Sequence, residues 1–234
     1  MTLLSARNVT RRFGGLVAVD GVDFDLAKGE IRALIGPNGA GKTTFVSMLA
    51  GRISASSGAI TFGGRDVTRL PAHRRIRAGM AYTFQITSVF TNLTVEENVT
   101  LAVQRQAARG ETSERVRAAL AQVGLQERTD QRVGDLAYGH QRLLEIAMGI
   151  GQSPRLLILD EPTQGLTDGE VQDFIKLVRE LARVTTILLI EHNIDVVMAL
   201  ATRITVMNFG RVIAEGPPDA IRANADVQAA YLGG

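Results

Sequence analysis

One segment constrains this chain more than any other. Gly36-Pro37-Asn38-Gly39-Ala40-Gly41-Lys42-Thr43 fits the pattern G-x-x-x-x-G-K-[ST]. A short apolar run, Ile31–Ile35, precedes it, and an apolar stripe of Phe45, Met48 and Leu49 follows and stops at Gly51. A strand, a glycine turn and a helix in that order turn backbone N–H groups inward around phosphate oxygens. The helix N-terminus adds about half a positive charge at the same place. Lys42 is then placed to neutralise β/γ-phosphates, and the Thr43 hydroxyl to ligate Mg²⁺. The motif with both flanking elements outweighs a chance glycine-rich turn, and it predicts nucleotide binding.

Continuous apolar runs at Leu156–Asp160, Thr186–Ile190 and 204–207 read as further strands, buried on both faces. A helical stripe of Val171, Phe174, Ile175, Val178 and Leu181 lies between two of them. That alternation predicts an α/β fold with a parallel sheet. Residues 2–28 and 58–70 carry short alternating segments with turn residues, which read as antiparallel strands. From 85 to 151 the strand signal disappears. Thr94-Val95-Glu96-Glu97 is a capping-box pattern opening a helix, and 114–123 is a second helix. This stretch reads as a helical insertion in the sheet domain.

Composition narrows the function. The chain has 234 residues and no cysteine, so disulfides, thiolate metal sites and cysteine nucleophiles are excluded. Three histidines argue against an all-histidine metal site. Aromatics are 5%, with no tryptophan, which argues against binding single strands by stacking. Net charge is +2 from 26 basic and 24 acidic residues, and gives no sign of a polyanion partner. The cluster His73, Arg74, Arg75, Arg77 and the pair Arg11-Arg12 read as solvated surface rather than a nucleic-acid patch. No run approaches the ~18 apolar residues that cross a bilayer, and residues 1–7 carry no secretory pattern.

The second chemical signal is Leu156-Leu157-Ile158-Leu159-Asp160-Glu161. A buried strand ending in two acids puts carboxylates at the C-terminal edge of the sheet, where open α/β sheets bind ligands. Asp160 is suited to hold Mg²⁺, directly or through water. Glu161 is suited to accept a proton from, or orient, an attacking water.

The ordered set of the glycine loop, Gln85, Leu136-Ala137-Tyr138-Gly139-His140-Gln141, Asp160-Glu161-Pro162-Thr163 and His192 resembles the ATP-binding subunit of an ABC transporter. The resemblance spans nearly the whole chain. It implies a P-loop α/β core with an antiparallel β subdomain and a helical subdomain at about 85–151, all in one domain of residues 1–234. It implies that Gly36, Pro37, Asn38, Gly39, Ala40, Gly41, Lys42, Thr43, Thr44, Gln85 and Phe13 bind ATP. Stacking of Phe13 on adenine can contribute about 1–3 kcal/mol. Lys42, Glu161 and His192 take the catalytic roles, and Thr43, Gln85 and Asp160 hold Mg²⁺.

Leu136 to Gln141 correspond to the family's signature, which faces the ATP of the opposite subunit. The usual form is Leu-Ser-Gly-Gly-Gln. Here Ala137, Tyr138 and His140 depart from it, and His140 puts a titratable donor where the family has a neutral amide. The Leu-Ala-Tyr-Gly-x-Gln form and the closing Tyr231-Leu232-Gly233 are similar to importers of branched-chain amino acids and related solutes. Thr167 stands where aspartate is common. Thr167-Asp168-Gly169-Glu170 is itself a capping box, which accounts for the residue without a catalytic role.

The partners so implied are a second ATP-binding subunit, as homodimer or heterodimer, membrane permease subunits, and indirectly a solute-binding protein, with no nucleic acid. The implied location is cytoplasmic, peripheral on the inner face of the cell membrane. The segment after Gln85 through Phe90 and Leu93 is the expected permease contact. Competing readings are urea, amide or lipopolysaccharide transport, and ABC ATPases of translation or repair.

Overall fold

The computed structural model describes residues 1–83, 88–104 and 110–232, so Gln85 lies outside the described residues. The chain forms two compact units, Met1–Ala78 with Thr186–Gly234, and Gly79–Thr185.

In the first unit, β1 (Thr2–Phe13) and β2 (Leu16–Ala27) form an antiparallel hairpin. β4 (Ser57–Phe62) adds to β1, and the two-residue β5 (Arg65–Asp66) adds to β4. The alternation explains the sheet: Val22, Phe24 and Leu26 are buried while Asp23 and Asp25 face out. A second sheet is built on β3 (Ile31–Ile35), buried at every position. It runs parallel to β8 (Thr186–Ile190) and β9 (Arg203–Asn208), and β10 (Arg211–Gly216) folds back antiparallel on β9. One face is covered by α7 (Ile194–Leu200), α8 (Pro218–Arg222) and α9 (Ala225–Leu232), with Val197, Ile221 and Val227 packed against Ala33, Ile35 and Val206. Helix α1 (Lys42–Leu49) joins the antiparallel sheet through Phe45, which meets Phe24 edge to face at 5.6 Å between ring centroids.

The second unit pairs β6 (Met80–Tyr82) in parallel with β7 (Leu156–Asp160). Its helices are α3 (Val95–Val103), α4 (Thr112–Gln122), α5 (Tyr138–Ile150) and α6 (Asp168–Leu181), with α3 packed on α4 and α5. The capping boxes read at Thr94 and Thr167 both form, with each threonine hydroxyl accepting from the N3 amide and each glutamate accepting in return. The α/β class, with an antiparallel sheet and parallel pairing, is as the sequence predicts.

One reading is corrected. The basic cluster lies on α2 (Ala72–Arg77), but Arg75 is only 1% exposed. Its guanidinium donates to the carbonyls of Met48 and Leu49 at 2.8 and 2.7 Å, of Leu70 at 2.9 Å and of Thr68 at 3.1 Å. It thus covers the C-terminal carbonyls of α1, where a cation is favoured. Burial pushes the guanidinium down to about 10, with the Asp66 charge pulling the other way. A run of arginines shows charge but not which one turns inward. Arg74 and Arg77 remain exposed.

Removing Arg75 takes a donor from each of these carbonyls and empties a buried site, so Arg75→Ala is expected to destabilise the protein by about 2–4 kcal/mol. Arg74→Ala, on the exposed face, is expected to stay within about 0.5 kcal/mol. Urea unfolding midpoints of the two variants check this.

Candidate functional site

The glycine turn between β3 and α1 has no room for a side chain at two of its positions. Gly36 has φ 149°, and a Cβ there would lie 2.1 Å from the Met207 carbonyl oxygen. Gly41 has φ 95°, and a Cβ there would lie 2.4 Å from the Ala18 carbonyl oxygen. The Gly210 amide donates to the Ala40 carbonyl at 3.0 Å, tying the turn to the loop between β9 and β10. With Gly41 as N-cap, α1 begins without a side-chain acceptor and with no acidic residue in its first turn. That is the arrangement of an anion site at a helix N-terminus.

Lys42 is buried and curls back, donating to the carbonyls of Gly36 at 2.6 Å and Pro37 at 3.0 Å. Its charge is thereby held inside the turn. Thr43 is exposed on the first helical turn, and Thr44 is half-buried beside it. Phe13 ends β1 at 45% exposure, with the Arg11 guanidinium 4.5 Å from its ring centroid. The ring is kept out of the core with a cation over one face. His192 is exposed after β8, and Glu191 accepts from the His192 and Asn193 amides at 2.8 and 3.1 Å. The Asn193 side chain caps α7.

In the second unit, Asp160 closes β7 at 1% exposure and accepts a hydrogen bond from the Tyr82 hydroxyl on Oδ2. Glu161 follows at 7% exposure with φ 49°. A glutamate in the left-handed region costs about 1–3 kcal/mol, and such strain clusters at functional sites.

The signature segment opens α5. Ala137 is its N-cap position and offers no side-chain acceptor. The Gln141 side-chain amide donates to the carbonyls of Leu136 at 3.1 Å and Val133 at 3.3 Å, which holds the turn ahead of the helix. Tyr138 is 43% exposed, with the Arg142 guanidinium 5.5 Å from its ring centroid. A Cβ on Gly165 would lie 2.9 Å from the Tyr138 ring. A Cβ on Gly139 would lie 2.1 Å from Glu170 Oε1. The departures at Tyr138 and Thr167 thus belong to one packed patch. The Tyr138 ring lies over Gly165, and the Glu170 carboxylate lies on Gly139 at the start of α5.

Glu170 Oε2 accepts from the Thr167 amide and from its hydroxyl, both at 2.8 Å. These bonds hold its carboxyl below the usual range, with a smaller pull from His140. The capping box therefore contributes stability above the unfolded carboxyl's pKa, and that contribution is lost as pH falls through the lowered one. Sequence reasoning missed the Glu170–Gly139 contact. The capping-box signal located Glu170, but nothing local showed which helix its second oxygen would meet.

Residues 19–164 match the profile of the ABC transporter family. The chain belongs to that family. Its activity is ATP hydrolysis. The final stretch, 211–234, matches a second profile, that of the branched-chain amino acid ATP-binding cassette transporter. The cassette is 40% identical to the high-affinity branched-chain amino acid transport ATP-binding protein LivG of Salmonella typhimurium, over 99% of this chain and 98% of that protein. It is 38% identical to the corresponding protein BraF of Pseudomonas aeruginosa, over 99% and 98%. Among solved structures, it resembles a nucleotide-free ATP-binding cassette from an ABC transporter, and the ADP conformation of a cassette. Both superpose with a TM-score of 0.90 at 28% identity over 100% of both chains.

Gly139→Ala brings two effects of opposite sign. Alanine gains about 0.5–1 kcal/mol of helix propensity over glycine, and its methyl displaces the Glu170 carboxylate. The substitution is expected to be neutral or destabilising in the wild type. It is expected to stabilise by about 0.5–1 kcal/mol in a Glu170→Ala background. Thermal unfolding of the four variants in the cycle measures the difference.

Proposed function

We propose that this chain is the ATP-hydrolysing subunit of an importer for branched-chain or other hydrophobic amino acids. The observation that carries this reading is the 40% identity to LivG across essentially both chains. The C-terminal match at 211–234 supports it. The relatives at 38–40% identity over essentially both chains are named as branched-chain amino acid transport proteins, which favours this reading over urea, lipopolysaccharide, translation and repair.

In this reading residues 1–234 are one ATP-binding domain. The Gly36–Thr44 turn binds the phosphates through its amides, Lys42 neutralises their charge, and Phe13 stacks on the base. Thr43 and Asp160 offer hydroxyl and carboxylate oxygens, the hard donors that Mg²⁺ takes alongside nucleotide phosphates. These two oxygens, with Gln85, would hold the ion. When bound, Mg²⁺ supplies charge neutralisation on the phosphates. Glu161 takes a proton from the attacking water, or orients it, and His192 assists at the γ-phosphate. The helix that starts at Tyr138 directs its N-terminus at the nucleotide of a second ATP-binding subunit, identical or similar. Leu136 to Gln141 form that contact.

The assembly works through permease subunits, served by a solute-binding protein, from the inner face of the cell membrane. Among the described residues no helix is long and apolar enough to cross a membrane. The exposed Phe90 is a candidate permease contact. Its amide donates to Asn98 Oδ1 at 2.8 Å, and the Asn98 amide donates back to its carbonyl at 3.0 Å.

Glu161→Gln keeps size and hydrogen bonding but removes the base. It is expected to bind ATP, accumulate as an ATP-bound dimer and lose about 10²–10⁴-fold in turnover. Lys42→Ala is expected to bind ATP weakly and form no such dimer. Size-exclusion chromatography with and without ATP, beside a phosphate-release assay, reads both variants against the wild type. A Glu161→Gln variant with normal turnover overturns the role of Glu161. For the solute, leucine uptake into vesicles holding the matching permease is expected to require this chain and ATP.

A further inference from the structure

β6 and β7 run parallel, with Tyr82 in register with Ile158. Side chains alternate along a strand, so Ile158 and Asp160 leave the same face of β7, and Tyr82 leaves that face of β6. A residue two positions along the neighbouring strand is within reach of an aromatic side chain. Tyr82 spans that step, and its hydroxyl donates to Asp160 Oδ2. The backbone is pinned beside the contact. The Thr83 amide donates to the Ile158 carbonyl at 2.9 Å, and the Thr83 hydroxyl donates to the same oxygen at 3.4 Å. Tyr82 is half-buried and Asp160 almost fully buried, so water competes weakly for this bond.

A carboxylate at the end of a strand can rotate about its last torsion, and its two oxygens are chemically equivalent. The phenol ends that equivalence: Oδ2 is committed to the tyrosine and the plane of the group is set. Hydrogen bonds of this kind orient ligating carboxylates and tune them, and losing one typically costs 10–100-fold in metal affinity. We propose that Tyr82 is a positioning residue for Asp160, whose hydroxyl holds the carboxylate in the orientation that receives the divalent cation accompanying the nucleotide. The proposal rests on the reading of Asp160 as a residue that holds the metal. Tyr82 acts through Asp160 and touches neither nucleotide nor metal. The same bond ties Asp160 to the strand that leads, three residues on, to Gln85.

The test uses the full chain with ADP, so that no turnover intervenes, and Mn²⁺ as the metal probe, followed by loss of the free-ion signal in electron paramagnetic resonance. Tyr82→Phe removes one oxygen atom and keeps the ring. It is expected to raise the Mn²⁺ concentration at half-saturation by about tenfold or more, while ADP affinity in EDTA stays at the wild-type value. Asp160→Asn, nearly isosteric, is expected to raise it as well, and Tyr82→Phe is expected to add nothing in that background. An unchanged Mn²⁺ half-saturation in Tyr82→Phe overturns the proposal. So does an equal shift in the wild-type and Asp160→Asn backgrounds, or a matching loss of ADP affinity in EDTA, since each marks a merely structural tyrosine. A wild-type chain that binds ADP but shows no metal dependence overturns the reading of Asp160, and the proposal with it. One that binds no ADP overturns the proposed function as a whole.

Discussion

The first unit depends on a backbone packing constraint at the glycine turn. To aim amides at a phosphate, the chain must pass so close to its neighbours that a side-chain carbon at Gly36 or Gly41 would overlap a carbonyl oxygen. Those oxygens belong to Ala18 on β2 and Met207 on β9, elements far apart in sequence. The turn therefore packs directly against the hairpin and the parallel strands. The completely buried β3 and the edge-to-face contact of Phe24 with Phe45 supply that frame. Function and fold therefore rest on the same few ångströms of clearance.

Local signals carried most of the architecture. The buried runs at β3, β7 and β8, the alternation in β2, and the two capping boxes are written in patterns of a few adjacent residues, and they form as read. β6 and β10 were not legible. β6 is three residues long, too short to show a period, and β10 is half-buried, so neither of its faces is strongly apolar. The buried arginines were illegible for a different reason. Arg32 lies in the middle of an otherwise apolar strand and is held by Glu30 at 2.6 Å and Glu215 at 3.0 Å. Arg75 reaches carbonyls more than twenty residues away in sequence. Charge is legible in a sequence, but the partner that permits its burial is long-range information.

The site follows the same division. The motif positions nominate the residues proposed to carry chemistry, and the structure adds what holds them. Asp160 is named by its strand and secured by Tyr82, whose strand the sequence did not reveal. The unusual signature and the unusual residue at Thr167 look like two separate departures in the sequence. In the fold they meet, since the ring of Tyr138 covers Gly165 and the carboxylate partnered by Thr167 rests on Gly139.

Arg75 has an electrostatic consequence that reaches the opposite end of α1. Its guanidinium sits on the Met48 and Leu49 carbonyls, which are the negative pole of that helix. The positive pole at Lys42 and Thr43 has no carboxylate in its first turn to oppose it. With its far end compensated, an eight-residue helix opposes its own N-terminal amides less, and more of their positive potential is kept at the glycine turn itself.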